Sequence, residues 1–165
     1  MTSLGVRPLR LHVNGYERVV LASPHHTLLE VLRRELDLVG AREGCGVGMC
    51  GACTVLLDGR PVSSCLLLAQ LASDREITTI EGLAGPDGSL DPVQQAFVDH
   101  NAFQCSYCTP GFVLAAKALL AERPAPAQRE VEEYLSGNLC RCGCYREIVA
   151  AVLAAAKAVN TAGVR

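Results

Sequence analysis

Two groups of cysteine set the terms on which this chain can fold. The first is Cys45, Cys50, Cys53 and Cys65, spaced C-x4-C-x2-C with a later fourth member. The second is Cys105 and Cys108 in C-x2-C, answered far downstream by Cys140 and Cys142 in C-x-C. A disulfide framework is the ordinary reading of a small cysteine-rich chain. Here the total of nine is odd, and the start lacks a charged-then-apolar signal segment. Both points favour reduced thiols that bind metal. The fold must therefore gather four thiols, twice.

Bulk composition narrows the function further. With 165 residues, half of them hydrophobic, the chain can build one core or two small ones. A net charge of −2 gives no basic footprint for nucleic acid. No apolar run is long enough to span a bilayer, and a cytoplasmic location is expected. The absence of Trp, with four Tyr and three Phe, leaves little for stacking bases or flavin rings.

The pattern along the chain predicts an α+β protein in two parts, 1–81 and 91–165, joined by a Gly/Pro-containing linker at 82–90. In the first part, apolar alternation at Leu9, Leu11 and Val13 leads through Asn14-Gly15 into a second strand. Thr27 and Glu30 form a capping box, and Leu28, Leu32 and Leu36 mark one stripe of a helix that Gly40 is suited to stop. Asp58-Gly59 predicts a second hairpin between strands at 54–57 and 62–66, with a further strand at 77–80. This order is that of a β-grasp sheet wrapped on one helix. In the second part four helices are expected, at 92–103, 110–122, 127–135 and 145–159. Asp91-Pro92 and Thr109-Pro110 supply cap and first-turn proline, and Ile148, Val152, Ala155, Ala156 and Val159 make an apolar face. A pseudo-symmetric four-helix bundle would bring the junction with Cys105 and Cys108 to the one with Cys140 and Cys142.

The spacing of the first group is that of a plant-type [2Fe–2S] centre. Its loop, 44–53, carries glycine at 44, 46, 48 and 51. Three thiolates converging from so short a segment require tight backbone turns and N–H groups aimed at sulfur, with Arg42 available to offset negative charge. A zinc tetrathiolate is the alternative. Gly46 to Gly51 also spells G-x-G-x-x-G, but it follows a helix and contains ligand cysteines, so the dinucleotide reading fails. The second group is less diagnostic, since C-x2-C with C-x-C also suits zinc. Arg141 and Arg146 put positive charge nearby. Cys142-Gly-Cys144 is a competing C-x-C; Cys140 and Cys142 are preferred, with Cys144 read as a small buried residue. His12, His25, His26 and His100 lack ligand spacing and are read as packing or surface residues.

Three stretches, EGCGVGMCGACTV at 43–55, QCSYCTPG at 104–111 and GNLCRC at 137–142, together resemble the small iron–sulfur subunit of the molybdenum hydroxylases, the xanthine oxidase family. The likeness runs from Leu9 to about Val159. It implies a ferredoxin-like domain and a helical domain, each with one [2Fe–2S] cluster. It also implies a large subunit with molybdopterin and often a medium subunit with FAD. By the same resemblance, Cys105, Cys108, Cys140 and Cys142 hold the cluster nearest the pterin, and Gln104 hydrogen-bonds the pterin. Cys45, Cys50, Cys53 and Cys65 hold the outer cluster, which passes electrons to flavin or another acceptor. Many members read Cys-Arg-Cys-Thr-Gly-Tyr where this chain has Cys140-Arg-Cys-Gly-Cys-Tyr145, which leaves the role of Cys144 open. A free-standing two-cluster ferredoxin is the alternative function.

Overall fold

The chain forms a five-stranded mixed sheet followed by four main helices, as seen in a computed structural model that describes residues 5–162, the last three as backbone only. The two-part boundaries include 1–4 and 163–165, which lie outside the described residues. Strands β1 (Arg7–Val13) and β2 (Tyr16–Ala22) pair antiparallel with Val13 opposite Tyr16. Asn14 and Gly15 take φ of +55° and +77°, the left-handed pair that a two-residue hairpin turn needs. Strands β3 (Thr54–Leu57) and β4 (Arg60–Ser63) repeat the device with Asp58 and Gly59 at φ +49° and +78°. β5 (Glu76–Thr78) runs between the hairpins, parallel to β1 and antiparallel to β3. The sheet order is β2-β1-β5-β3-β4.

Helix α1 (Leu28–Arg34) opens on the expected capping box: Thr27 Oγ1 accepts from Glu30 N–H, and Glu30 accepts from Thr27 N–H. It is shorter than the leucine stripe predicts. After Glu35 the chain leaves through Asp37 at φ +54°, and Leu38 N–H closes on the Leu32 carbonyl at 2.9 Å. Gly40 does not stop this helix. It is buried where a β-carbon would overlap Ile80, and its N–H donates to Glu81 Oε1 at 2.7 Å. Close approach, not helix capping, is what requires glycine there.

One face of the sheet buries Leu11, Val13, Val20, Val55, Leu57 and Ile77 against Leu28, Val31 and Leu32 of α1. The second core is made by α2 (Pro92–Asp99), α3 (Thr109–Glu122), α4 (Gln128–Tyr134) and α5 (Tyr145–Ala162) around Phe97, Phe112, Leu119, Val131, Ile148 and Val152. Val159, expected on the apolar face of α5, is exposed. The two cores meet at β3. Its alternation sends Val55 and Leu57 toward α1, while Leu56 packs on Leu114 and Ala118 of α3. All four residues of β3 are buried as a result. Asp91 caps α2 through Val93 N–H and also meets Lys117 of α3. The N-cap of α3 is Cys108 rather than Thr109, so Pro110 falls in the first turn and a candidate ligand cysteine sits at the helix entrance.

Candidate metal centres

The loop 44–53 leads into β3, with Gly46, Gly48 and Gly51 at φ of +67°, +74° and +67°. These turns let Val47 and Met49 N–H point at Cys45 Sγ, at 3.5 and 3.3 Å. The Val47 N–H, the neighbouring Cys50 thiol and the Met49 N–H lower the Cys45 pKa to about 7. At the other side of the loop, Cys53 is buried and Cys65 half-buried. Burial, then the adjoining Cys53 thiol, pushes Cys65 up to about 11. Ser64 fixes this second pair: its Oγ donates to the Cys53 carbonyl at 2.7 Å, its N–H to the same oxygen at 3.3 Å. Nothing in the spacing singled Ser64 out, although its place beside Cys65 was the available signal.

In the helical half the two junctions do come together. Cys142 Sγ lies 3.5 Å from Cys105 Sγ, and Cys108 and Cys140 form the other apposed pair. The Tyr107 N–H and the Cys142 thiol hold Cys105 below the ordinary thiol pKa. Burial and then the Cys140 thiol push Cys108 up to about 12. At Cys140, burial raises the pKa, but the N–H groups of Cys144, Cys142 and Gly143 and the Cys108 thiol outweigh it, so the net direction is down. The backbone of Cys140 is also anchored by Tyr145, whose hydroxyl accepts from Cys140 N–H at 2.9 Å and whose ring meets Phe112 edge-on. A cavity of about 380 Å³ beside the thiols is lined in part by Cys50, Cys105, Cys108, Cys140, Tyr107 and Arg141.

Cys144 is buried and its thiol faces Cys140; burial first, then the Cys140 charge, raises its pKa. Gln104 is exposed next to Cys105. Arg42 does not turn to the thiols. Its guanidinium donates to the Ser106 carbonyl and lies over the Tyr107 ring, while Tyr107 OH donates to the Glu43 carbonyl at 2.7 Å. It ties the sheet half to the helical half. The G-x-G-x-x-G segment opens no helix and leads into β3. The histidines stay outside both groups; His26 accepts from Ser23 N–H and packs edge-on against His25.

Among the described residues, no group of three or more His, Cys, Asp or Glu side chains is drawn tightly enough to hold one metal ion. Eight thiols are apposed in pairs instead, Cys45 with Cys50, Cys53 with Cys65, Cys105 with Cys142 and Cys108 with Cys140, and the ninth, Cys144, also meets Cys140. A zinc tetrathiolate needs four sulfurs on one tetrahedron. A two-iron core takes a pair of thiolates at each end, and that is the donor set offered here.

Residues 11–81 match the 2Fe-2S iron-sulfur cluster binding domain, and residues 79–153 match the [2Fe-2S] binding domain. The chain is 49% identical to the nicotine 6-hydroxylase small subunit of Paenarthrobacter nicotinovorans over 143 residues, covering 87% of this chain and 86% of that one. It belongs to the small iron–sulfur subunits of the molybdenum hydroxylase family. Another member of the family, the nicotinate dehydrogenase small FeS subunit of Eubacterium barkeri, is 46% identical, with 87% and 91% of the two chains covered. Among solved structures, a chain of quinoline 2-oxidoreductase from Pseudomonas putida 86 superposes with a TM-score of 0.90 at 41% identity, covering 94% of this chain and 97% of its own. As in those relatives, the small subunit is part of an oxidoreductase complex, and it carries two [2Fe–2S]-binding domains. No helix among the described residues is long and apolar enough to cross a membrane.

Proposed function

We propose that Cys45, Cys50, Cys53 and Cys65 hold an outer [2Fe–2S] cluster and that Cys105, Cys108, Cys140 and Cys142 hold an inner one. The chain then relays electrons from molybdopterin on a large subunit to FAD on a medium subunit, or to another acceptor. The observation that carries this reading is the apposition of thiols in four pairs, two pairs per half. A bound [2Fe–2S] cluster supplies one-electron redox chemistry. The protein supplies N–H donors to sulfur, a buried setting for Cys53 and Cys140, and a fixed spacing between the two sites. The functional division falls at 1–81 and 91–165, with 82–90 as the connection. We leave Cys144 outside the ligand set, although its buried thiol meets that of Cys140, because Cys105, Cys108, Cys140 and Cys142 already supply two pairs.

Gln104 is the residue we assign to the pterin contact, since it is exposed beside the inner group. The names of the relatives, which include nicotine, nicotinate, aldehyde and quinoline enzymes, support hydroxylation of an N-heterocycle or aldehyde on the large subunit, with oxygen from water. Metal analysis of the native protein tests the cluster reading: about four iron and four acid-labile sulfides per chain are expected, and a colourless zinc protein would overturn it. Cys142→Ser should abolish one of two electron paramagnetic resonance signals, whereas Cys144→Ser should leave both. Gln104→Ala should keep both clusters while slowing reduction by substrate in the assembled enzyme.

A further inference from the structure

The two thiol groups are joined by a short seam of hydrogen bonds in which neither ligand side chain takes part. Leu139 N–H, one residue before Cys140, donates to the carbonyl of Cys50 at 2.9 Å. The adjacent Asn138 is buried, and its Nδ2 donates to the carbonyl of Gly51 at 3.1 Å. Consecutive carbonyls of the outer loop are thus held by consecutive residues of the inner one. Gly51 O receives two further donors, Thr54 N–H at 3.2 Å and Thr54 Oγ1 at 2.7 Å, which fix it from the sheet side.

Two glycines allow the approach. A β-carbon on Gly111, in the first turns of α3, would overlap the Gly51 carbonyl oxygen. A β-carbon on Gly51 would overlap the Asn138 amide and lie 2.9 Å from the Gly137 carbonyl oxygen. The seam therefore has no spare width, and Asn138 is the side chain that spans it at this point. A leucine at 138 could occupy the space but could not donate, and an alanine could do neither.

We propose that Asn138 is a positioning residue for electron transfer between the two centres, acting through Gly51 to hold the Cys50 carbonyl on the Leu139 N–H. This assignment rests on the relay function proposed for the two clusters. The bonded route from Cys50 to Cys140 crosses from one half to the other at that N–H···O contact. Its length is set by the Asn138–Gly51 bond and the Gly51–Gly111 approach. Arg42 and Tyr107 tie the halves at a second place, through Ser106 and Glu43, so loss of Asn138 loosens the seam without separating the halves.

The test uses the assembled holoenzyme. In the wild type, Leu139 N–H should exchange slowly with solvent although its side chain is half exposed. In Asn138→Ala, iron content and the separate resonance signals should be retained. Exchange at Leu139 should accelerate roughly tenfold, the factor that about 1.4 kcal/mol produces, a loss in the range for a buried hydrogen bond. Reduction of the inner cluster by substrate should keep its rate, transfer from inner to outer cluster should slow severalfold, and the magnetic splitting between the reduced clusters should weaken. Gly111→Ala should act in the same direction, by pushing rather than by releasing. Unchanged splitting and unchanged inter-cluster transfer in Asn138→Ala would overturn the assignment while leaving the relay intact. A wild type lacking the second cluster would instead overturn the relay itself.

Discussion

The two halves solve the same problem, four thiols in two pairs, by opposite means. In the sheet half three of the cysteines share one glycine-rich loop, and the fourth is brought in by Ser64, which bonds the Cys53 carbonyl. The geometry there is mostly local. In the helical half no local segment supplies more than two ligands. Cys105 and Cys142 meet at 3.5 Å only because the Phe97, Phe112 and Ile148 core holds two helix junctions together. A cluster in the first half depends on loop conformation, and one in the second depends on tertiary packing.

That contrast can be broken by a core mutation. Phe97 is 1% exposed within the helical core, and Phe97→Ala should cost about 3–5 kcal/mol by loss of contacts and an unfilled cavity. We expect the helical-half resonance signal to broaden or disappear at denaturant concentrations where the sheet-half signal survives. Simultaneous loss of both signals would mean that the halves unfold as one unit. Leu56→Ala sharpens the same question. Leu56 leaves β3 to pack on Leu114 and Ala118 of the other half, and the substitution should cost about 2–5 kcal/mol. Unlike Phe97→Ala, it should lower the denaturation midpoint of both halves, read separately by the two signals.

The same local-versus-tertiary division explains what the sequence made visible. Both hairpins were legible because Asn14-Gly15 and Asp58-Gly59 carry their own turn chemistry. The capping box at Thr27 and the cap at Asp91 were legible for the same reason. The spacing marked the cysteines that the fold brings together, Cys105 with Cys142 and Cys53 with Cys65, since metal binding restricts residue type as well as distance. The length of α1 was not, because its exit through Asp37 depends on Leu38 folding back to Leu32. Gly40 was misread because the residue that demands it, Ile80, is distant in sequence. Arg42 was read as available to offset negative charge in the loop, and its direct partners lie across the seam at Ser106 and Tyr107. Ser64 carried no mark beyond a hydroxyl beside Cys65, and Asn138 lay within the GNLCRC stretch without its donor role being readable, because its acceptor, Gly51, is distant in sequence.

Capping gives a smaller measure of the difference between halves. Thr27→Ala removes one side-chain cap from α1 and should cost about 1 kcal/mol. Asp91→Ala removes the cap of α2 together with the Lys117 ion pair, whose carboxylate side is only 9% exposed. Its cost should reach the upper end of the capping range, about 2 kcal/mol. Urea titrations of both variants test the ranking, and a larger loss for Thr27→Ala would reverse it.

The smallest effect is expected at the second hairpin, where pH discriminates it from the packing terms. Asp58 accepts from Arg75 Nε at 2.5 Å and from Glu76 N–H at 2.9 Å. The Arg75 side chain, then the Glu76 N–H, holds its carboxyl below the ordinary 3.8. A carboxyl with a depressed folded value contributes stability that is fully present above its unfolded pKa and is lost as pH falls through the folded one. The advantage of wild type over Asp58→Asn should therefore be flat from neutrality to about pH 5 and shrink below about pH 4. Because the pair is exposed, added salt should reduce it as well. The deficit of Phe97→Ala, which removes no charge, should change far less over that interval. An Asp58→Asn difference that stayed flat on acidification would mean that the turn is held by the left-handed backbone alone, with the ion pair contributing nothing.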